Sequence, residues 1–567
     1  MKKNNLFKVV GIVILAYVLL SWIIPIVNSI GGFKWDVSKQ LGFTSTASNI
    51  LNTLPTFIPM IVYVLLVGAF YGVLKATGAY DKIIDLFSEK ASGREKCTLI
   101  LIIVLMALVS SLVGLDLGLL IVFPILIGLL VKIGYDKMVA LSATLGATIV
   151  GMYGATFAAS SYGMNMQILG TKALSQIVPK VIFFVLALAG LIVFVIRYCA
   201  KKNMIFDSRT AKKYLLIEGI VLSSMVLITS IVLTILLAID STVSVMWIVI
   251  LVVSLALLIF LIVKLATDKR NKKEVKLSSK KDKKEKKFSV NKDKKNKSKK
   301  FIKKDKKDKK EKREKKERGA LPALIVFGIV LLVFLLGTTN WSGLLGADNW
   351  FATAHTAWTG FTIGKFDVLN KLFGVDTVTA FGTWAEPSAR FNTYSMLLIY
   401  AMLVITVLYR TKFDDAFDGF VEGLKSFIVP ALLVTLACSL HLFVYFNDVL
   451  TPVMDALLKS TKEFNVFISG LYTIINSIFY VDYYYFASFV VYPITQVYTD
   501  KSILSIIDVM FVNLHSLVSL VAPSSVLLLV SLYIGKVRYG EWIKFIWKLA
   551  LGLLLVSFIV FTIMLLI

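Results

Sequence analysis

Residues 98–133 read TLILIIVLMALVSSLVGLDLGLLIVFPILIGLLVKI, and residues 464–497 form a second apolar region of the same kind. Each is broken near its middle by Ser, four residues and Asp: Ser111 to Asp116 in the first, Ser477 to Asp482 in the second. Apolar runs of about 18 residues or more read as membrane spans. A carboxylate inside such a run is costly, so it faces a cavity or a partner. These two breaks decide how the rest of the chain is read.

Working outward, uninterrupted apolar stretches long enough to cross lie at 7–27, 56–75, 139–160, 180–199, 214–238, 243–265, 320–337, 394–409, 425–446, 504–534 and 543–567. Span 7–27 exceeds a signal-peptide core and has no small-x-small cleavage site, so it reads as retained. With the N-terminus in the cytoplasm, the inside segments carry Lys82, Arg94, Lys137, Lys201, Arg410 and Lys536. The outer loops 28–55, 161–179, 239–242, 338–393 and 447–503 are poor in basic residues. Positive charge then stays inside at every crossing, provided that 98–133 and 464–497 each enter and leave on one side. Both are therefore expected to be re-entrant hairpins, the first opening from the cytoplasm and the second from outside. The expected fold is an all-α polytopic membrane protein of about 11 transmembrane helices plus two opposed re-entrant hairpins.

Composition fits a membrane body with one charged insert. Of 567 residues, 57% are apolar or aromatic, yet the formal net charge is +27. Residues 267–318 hold 28 Lys or Arg against 10 Asp or Glu, and so carry +18 of it. This excludes an ordinary soluble enzyme, and a soluble nucleic-acid binder as well. The insert has too few apolar residues to offset ordering entropy and is expected to be a disordered cytoplasmic linker, 266–319, between membrane halves 1–265 and 320–567. Its attraction to anionic lipid is the functional alternative. The outer segment 338–393, with Trp341, Trp350, Trp358 and Trp384, reads first as an interfacial belt and second as a lid. Cys97, Cys199 and Cys438 are isolated, which argues against a metal or disulfide framework. No GxxxxGK[ST], HExxH or Ser-His-Asp pattern points to ATP use or hydrolysis.

The halves repeat one another in order. Asp136-Lys137 precedes Ser160-Ser161 as Asp500-Lys501 precedes Ser524-Ser525, with 22 residues between in both cases. Phe57-Ile58-Pro59 is matched by Phe427-Ile428-Val429-Pro430. The topology gives the two halves opposite orientation, and inverted repeats with broken helices are typical of secondary transporters with a site near the bilayer midplane.

Candidate substrate- or ion-binding residues follow from the breaks. Asp116 and Asp482 would couple a cation or meet a substrate ammonium, or would simply cap the breaks; sodium sites are expected beside them. Ser110, Ser111, Thr156, Ser160, Ser161, Ser477, Ser524 and Ser525 carry hydroxyls that bind a ligand or satisfy broken backbone. Thr156 lies in a Gly- and Thr-rich segment that reads either as close helix packing or as a second broken helix around 151–161. Asn513 and His515 are polar groups inside a span. His515 could take a proton or be a packed, hydrogen-bonded residue. Asp508 is placed nearer the outer surface, His441 and His355 are read as structural or peripheral, and Tyr480, Tyr483, Tyr484 and Tyr485 as packing first and site lining second. No catalytic residues, cofactor or resident metal are expected, only a coupling sodium ion or proton.

Four stretches resemble the C4-dicarboxylate anaerobic carrier group, also called YfcC-like, of the ion transporter superfamily. They are GVLKATGAYDKIIDLF (72–87), FPILIGLLVKIGYDKMVALSATLGATIVG (123–151), FVEGLKSFIVPALLVTLA (420–437) and APSSVLLLVSLYIGKVRYGEWIKF (522–545). The resemblance implies a homodimeric, non-enzymatic secondary carrier of the plasma membrane, with elevator-type motion. Its substrates would be C4-dicarboxylates or amino acids such as arginine and ornithine. The chain departs from the group's pattern at Ala158-Ala159-Ser160 and at Tyr480-Val481-Asp482-Tyr483. Two tip aspartates would require cations to accompany a dianion. The competing reading is a channel or scaffold docking partners through the basic loop.

Overall fold

The breaks in the sequence become breaks in helices. A computed structural model describes residues 6–31, 40–205, 319–341, 350–359 and 386–566, apart from 157, 173, 174, 448, 462 and 481, together with 216, 220, 259, 260, 263, 264, 362–363, 366–367 and 382. Apart from those isolated positions, the expected spans 214–238 and 243–265 lie outside the described residues, as do the Lys-rich linker and about half of 338–393. The described residues before 208 and after 319 form one compact unit.

The helices are α1 (Leu6–Gly31), α2 (Phe43–Ala76), α3 (Ala79–Ala91), α4 (Glu95–Val113), α5 (Phe123–Lys132), α6 (Lys137–Tyr153), α7 (Ala159–Leu169) and α8 (Ile177–Lys201). After the insert come α9 (Leu321–Thr338), α10 (Trp350–Thr359), α11 (Pro387–Tyr409), α12 (Phe413–Phe446), α13 (Thr451–Lys459) and α14 (Val466–Ser477). The chain then continues through α15 (483–495), α16 (Lys501–Ser519), α17 (Val526–Gly535) and α18 (Tyr539–Leu566). A two-residue ribbon, Thr362–Ile363 against Phe366–Asp367, supplies the only strands among the described residues. Nine of the described helices are long and apolar enough to cross a membrane. The all-helical polytopic fold is as expected.

Two 34-residue helices, α2 and α12, form the centre. At 1.5 Å per residue each is about 51 Å long, more than the hydrocarbon thickness of about 30 Å. Both exceed the expected spans, because flanking stretches read as loops (43–55 and 413–424) continue the helix. Asp414 and Asp415 sit in the first turn of α12, where the helix dipole favours anions. The pair runs antiparallel: Asn49 meets Asn447, Met60 meets Cys438, and Gly72 meets Gly419. A Cβ on Gly72 would stand 1.9 Å from the Gly419 carbonyl oxygen, so the two backbones touch there. Pro55 and Pro59 withhold N–H donors inside α2, and the helix kinks between them at Phe57.

The first broken region is a helix, a tip and a return. Gly114 ends α4 with φ +79°, a conformation that favours glycine. Asp116 then caps the 3₁₀ turn Leu117–Ile121, which leads into α5. The return arm lies along the end of α2 and the start of α3 in parallel: the hydroxyls of Tyr63 and Tyr71 of α2 and Tyr80 of α3 donate to the carbonyls of Gly118, Ile121 and Pro124 in turn. Both ends of the unit meet α3, since α4 follows α3 directly and Lys132, closing α5, pairs with Asp85 of α3. The second region is built alike. Asn465 caps α14, the helix stops after Ser477, and Asp482 caps α15.

Two expected crossings are not continuous helices. Stretch 139–160 stops at Tyr153 and resumes at Ala159. Stretch 504–534 stops at Ser519 and resumes at Val526, after Pro523, which has no N–H to continue the ladder. Conversely, α4 alone is long enough to cross, although 98–133 was set apart from the crossings.

Candidate functional site

Each tip aspartate does two things at once. Asp116 Oδ1 accepts from its neighbour's backbone N–H at Leu117, and Asp482 Oδ1 accepts from Tyr484 N–H at 2.9 Å. The second oxygen of each turns to one side chain, Arg390. Its Nη2 lies 3.0 Å from Asp482 Oδ2 and 3.9 Å from Asp116 Oδ2. Capping and charge pairing are therefore both true of these residues.

Arg390 sits in the first turn of α11, which Glu386 caps through the N–H groups of Ser388 and Ala389. The guanidinium is 1% exposed and lies against the ring of Phe391. Nε and Nη1 have no hydrogen-bond partner. One cation between two ionised carboxylates leaves a net charge of about −1 in a buried place. Sequence reasoning missed Arg390, because it set the span at 394–409 and assigned residue 390 to an outer loop. The signal was present: an arginine adjoining an apolar run.

Beside this triad is a small cavity of about 30 Å³, lined by Met60, Asp116, Leu117, Met152, Asp482, Tyr483, His515, Ser519 and Ser525 among others. That is room for one or two waters. His515 is buried against the rings of Tyr483 and Phe486, and its Nδ1 has no partner.

Most of the expected hydroxyls hold the broken backbone together. Ser111 Oγ donates to Gly154 O at 2.7 Å, Thr156 donates back to Ser111 O from N–H at 3.0 Å, and Ser160 Oγ donates to Gly114 O at 2.7 Å. In the second half Ser524 Oγ donates to Ile478 O. Both Ser160–Gly114 and Ser524–Ile478 span 46 residues. Ser477 donates to Thr473 O within its own helix, and Ser525 caps α17 at Leu528 N–H. Ser110 Oγ is buried with no hydrogen-bond partner, and Ser161 is buried.

Asn513 is not brought to the cavity lining. Its amide donates to Tyr153 O and its oxygen accepts from Ser557, which ties the end of α6 to α16 and α18. His441 packs among Phe57, Tyr480, Tyr485 and Phe489. The His355 side chain lies outside what is described. Asp508, expected near the surface, is fully buried, and Lys180 Nζ stands 3.9 Å from it. Outside the spans, the Asp500 cap is held below the usual carboxylate range by the backbone N–H and hydroxyl of Ser502. No group of three or more His, Cys, Asp or Glu suited to a metal occurs among the described residues.

A polytopic helical membrane protein with broken helices around a small, charged cavity is thus the class in hand. Residues 4–281 match the family model described as C4-dicarboxylate anaerobic carrier, the family that the sequence resembles. The match takes in the first two of the four resembling stretches. The match covers just under half of the chain, and the likeness is to a family of carriers. No curated protein and no solved structure matches.

Proposed function

We propose that the chain is a secondary active transporter of a small carboxylate-bearing metabolite, a C4-dicarboxylate in the first place, with an amino acid such as arginine or ornithine as the narrower alternative. The observation that carries this reading is Arg390, held between Asp116 and Asp482 beside the cavity with two donor nitrogens unused. A guanidinium with free donors matches a carboxylate in shape and charge. The cavity is far too small for a four-carbon diacid, so the site must open to load.

Charge sets the coupling. A dianion entering a site already near −1 requires cations, and sodium ions or protons at Asp116 and Asp482 would supply them. In this reading the halves are inverted repeats. The antiparallel pair α2 and α12 and the two 46-residue stitches support it. The carrier would sit as a homodimer in the plasma membrane with its N-terminus cytoplasmic, and the Lys-rich segment would rest on anionic lipid. A channel or docking scaffold has no supporting observation among the described residues.

The test is counterflow of radiolabelled succinate, and separately of arginine, by purified protein in liposomes. Exchange of neither compound sinks the reading. Unchanged exchange and ion dependence in both Asp116→Asn and Asp482→Asn would remove the aspartates from it.

A further inference from the structure

Lys180 and Asp508 form a second buried ion pair that the Arg390 triad does not use. Their side chains are 0% and 1% exposed, and Nζ and Oδ2 are 3.9 Å apart. Lys180 Nζ stands 3.5 Å over the ring of Tyr162 and has no hydrogen-bond partner. A pair joined so loosely contributes little to stability, because desolvating two charges offsets their attraction. Ionisable groups kept inside a membrane protein at that cost point to function.

The pair is wired to the cavity. Asp508 Oδ1 accepts from Asn165 Nδ2 at 2.7 Å, and Asn165 Oδ1 accepts from the Tyr483 hydroxyl at 3.1 Å. Tyr483 follows Asp482 and lines the cavity. Along α16, Asp508 lies about 10 Å from the helix start at Lys501 and about 10 Å from the cavity residue His515, at 1.5 Å per residue. The pair is therefore midway between one end of the helix and the site. The groups facing it are Lys180 from α8, Tyr162 and Asn165 from α7 and Tyr483 from α15, with His515 behind Tyr483.

We infer that Lys180–Asp508 is the proton-coupling site of the carrier, linked to the substrate cavity through Asn165 and Tyr483. With the proton bound, Lys180 is an ammonium and the pair is neutral. With the proton released to water, Lys180 is an amine and the pair carries one negative charge. That charge disfavours an anion in the cavity, so proton and carboxylate each favour the other's binding, as linkage requires. The inference rests on the carrier reading above and adds a separate proton seat, apart from the cations placed at Asp116 and Asp482.

The experiment uses the full chain in liposomes with radiolabelled succinate as probe. Counterflow at equal pH is compared with accumulation driven by a pH gradient. The variants are the double substitution Lys180→Gln with Asp508→Asn, which leaves no unpaired buried charge, and Asn165→Leu, which keeps the pair and cuts the link. The double variant should keep counterflow and lose gradient-driven accumulation by about tenfold, a usual size for coupling between sites. Full gradient-driven accumulation in the double variant, or a wild type that ignores the gradient, overturns the inference. If the double variant also loses counterflow, Asn165→Leu decides, and unaltered accumulation there overturns it. A wild type without counterflow sinks the carrier reading and this inference with it.

Discussion

Arg390 Nη2 and Asp482 Oδ2 are 3.0 Å apart, although 92 residues of sequence separate them. The contact joins the first turn of α11 to the tip between α14 and α15, with Asp116 of the other tip 3.9 Å away. A charge triad that ties both breaks to a third helix makes the site sensitive to any one of its members.

Removing the cation should be the most damaging single change. Arg390→Gln leaves two carboxylates buried together, and breaking a buried pair costs about 3–5 kcal/mol. Thermal unfolding in detergent should shift down sharply, with succinate exchange lost. Combining Arg390→Gln with Asp482→Asn should restore much of the stability and none of the exchange. A double variant that transports would remove Arg390 from substrate binding.

The two serine stitches should behave as a pair. Ser160→Ala and Ser524→Ala each delete a hydroxyl that satisfies a carbonyl at a break, a loss of about 1 kcal/mol apiece. Ser477→Ala deletes only a bond within its own helix, to Thr473 O, and should be milder. Melting temperatures of the three variants, measured side by side, check the order.

Where α2 and α12 touch, space is the constraint. Gly72→Val places a branched side chain against the Gly419 carbonyl and should destabilise by about 1–3 kcal/mol through overpacking. Gly552→Val on α18, where nothing lies within 4 Å of a Cβ, is the control and should be nearly silent. The midpoint of thermal aggregation reads both.

Thiol labelling should report access to the small cavity. Of the native cysteines Cys97 is exposed, while Cys199 and Cys438 are buried. A maleimide should therefore modify native protein once, at Cys97. With the native cysteines replaced, Ser525→Cys should react slowly in substrate-free protein and at a different rate with succinate present. Rapid labelling without substrate would show that the site stands open.

Much of the fold was legible because its signals are local. An apolar run of span length, a Pro523 without an N–H, and an Asp five residues after a Ser each act within a few residues. The limits of the long helices were less legible. The polar turns at 43–55 and 413–424 are helical in continuity with apolar spans, and hydropathy alone stops where polarity begins. The candidate site was legible in part. Asp116, Asp482, His515 and Ser525 do line one cavity. Asn513 and most of the hydroxyls do not, because a helix broken inside a membrane first needs its own carbonyls satisfied.

By itself the sequence determined a polytopic helical membrane protein with two broken regions, since the bilayer filters each segment by length, polarity and backbone satisfaction one segment at a time. Only the tertiary structure decided which charges meet. Arg390 and Lys180 stand beside apolar runs and look like loop or boundary residues in one dimension. Their partners Asp482 and Asp508 lie 92 and 328 residues further on. Pairing across such distances depends on how α8, α11 and α16 pack, and no local pattern encodes that.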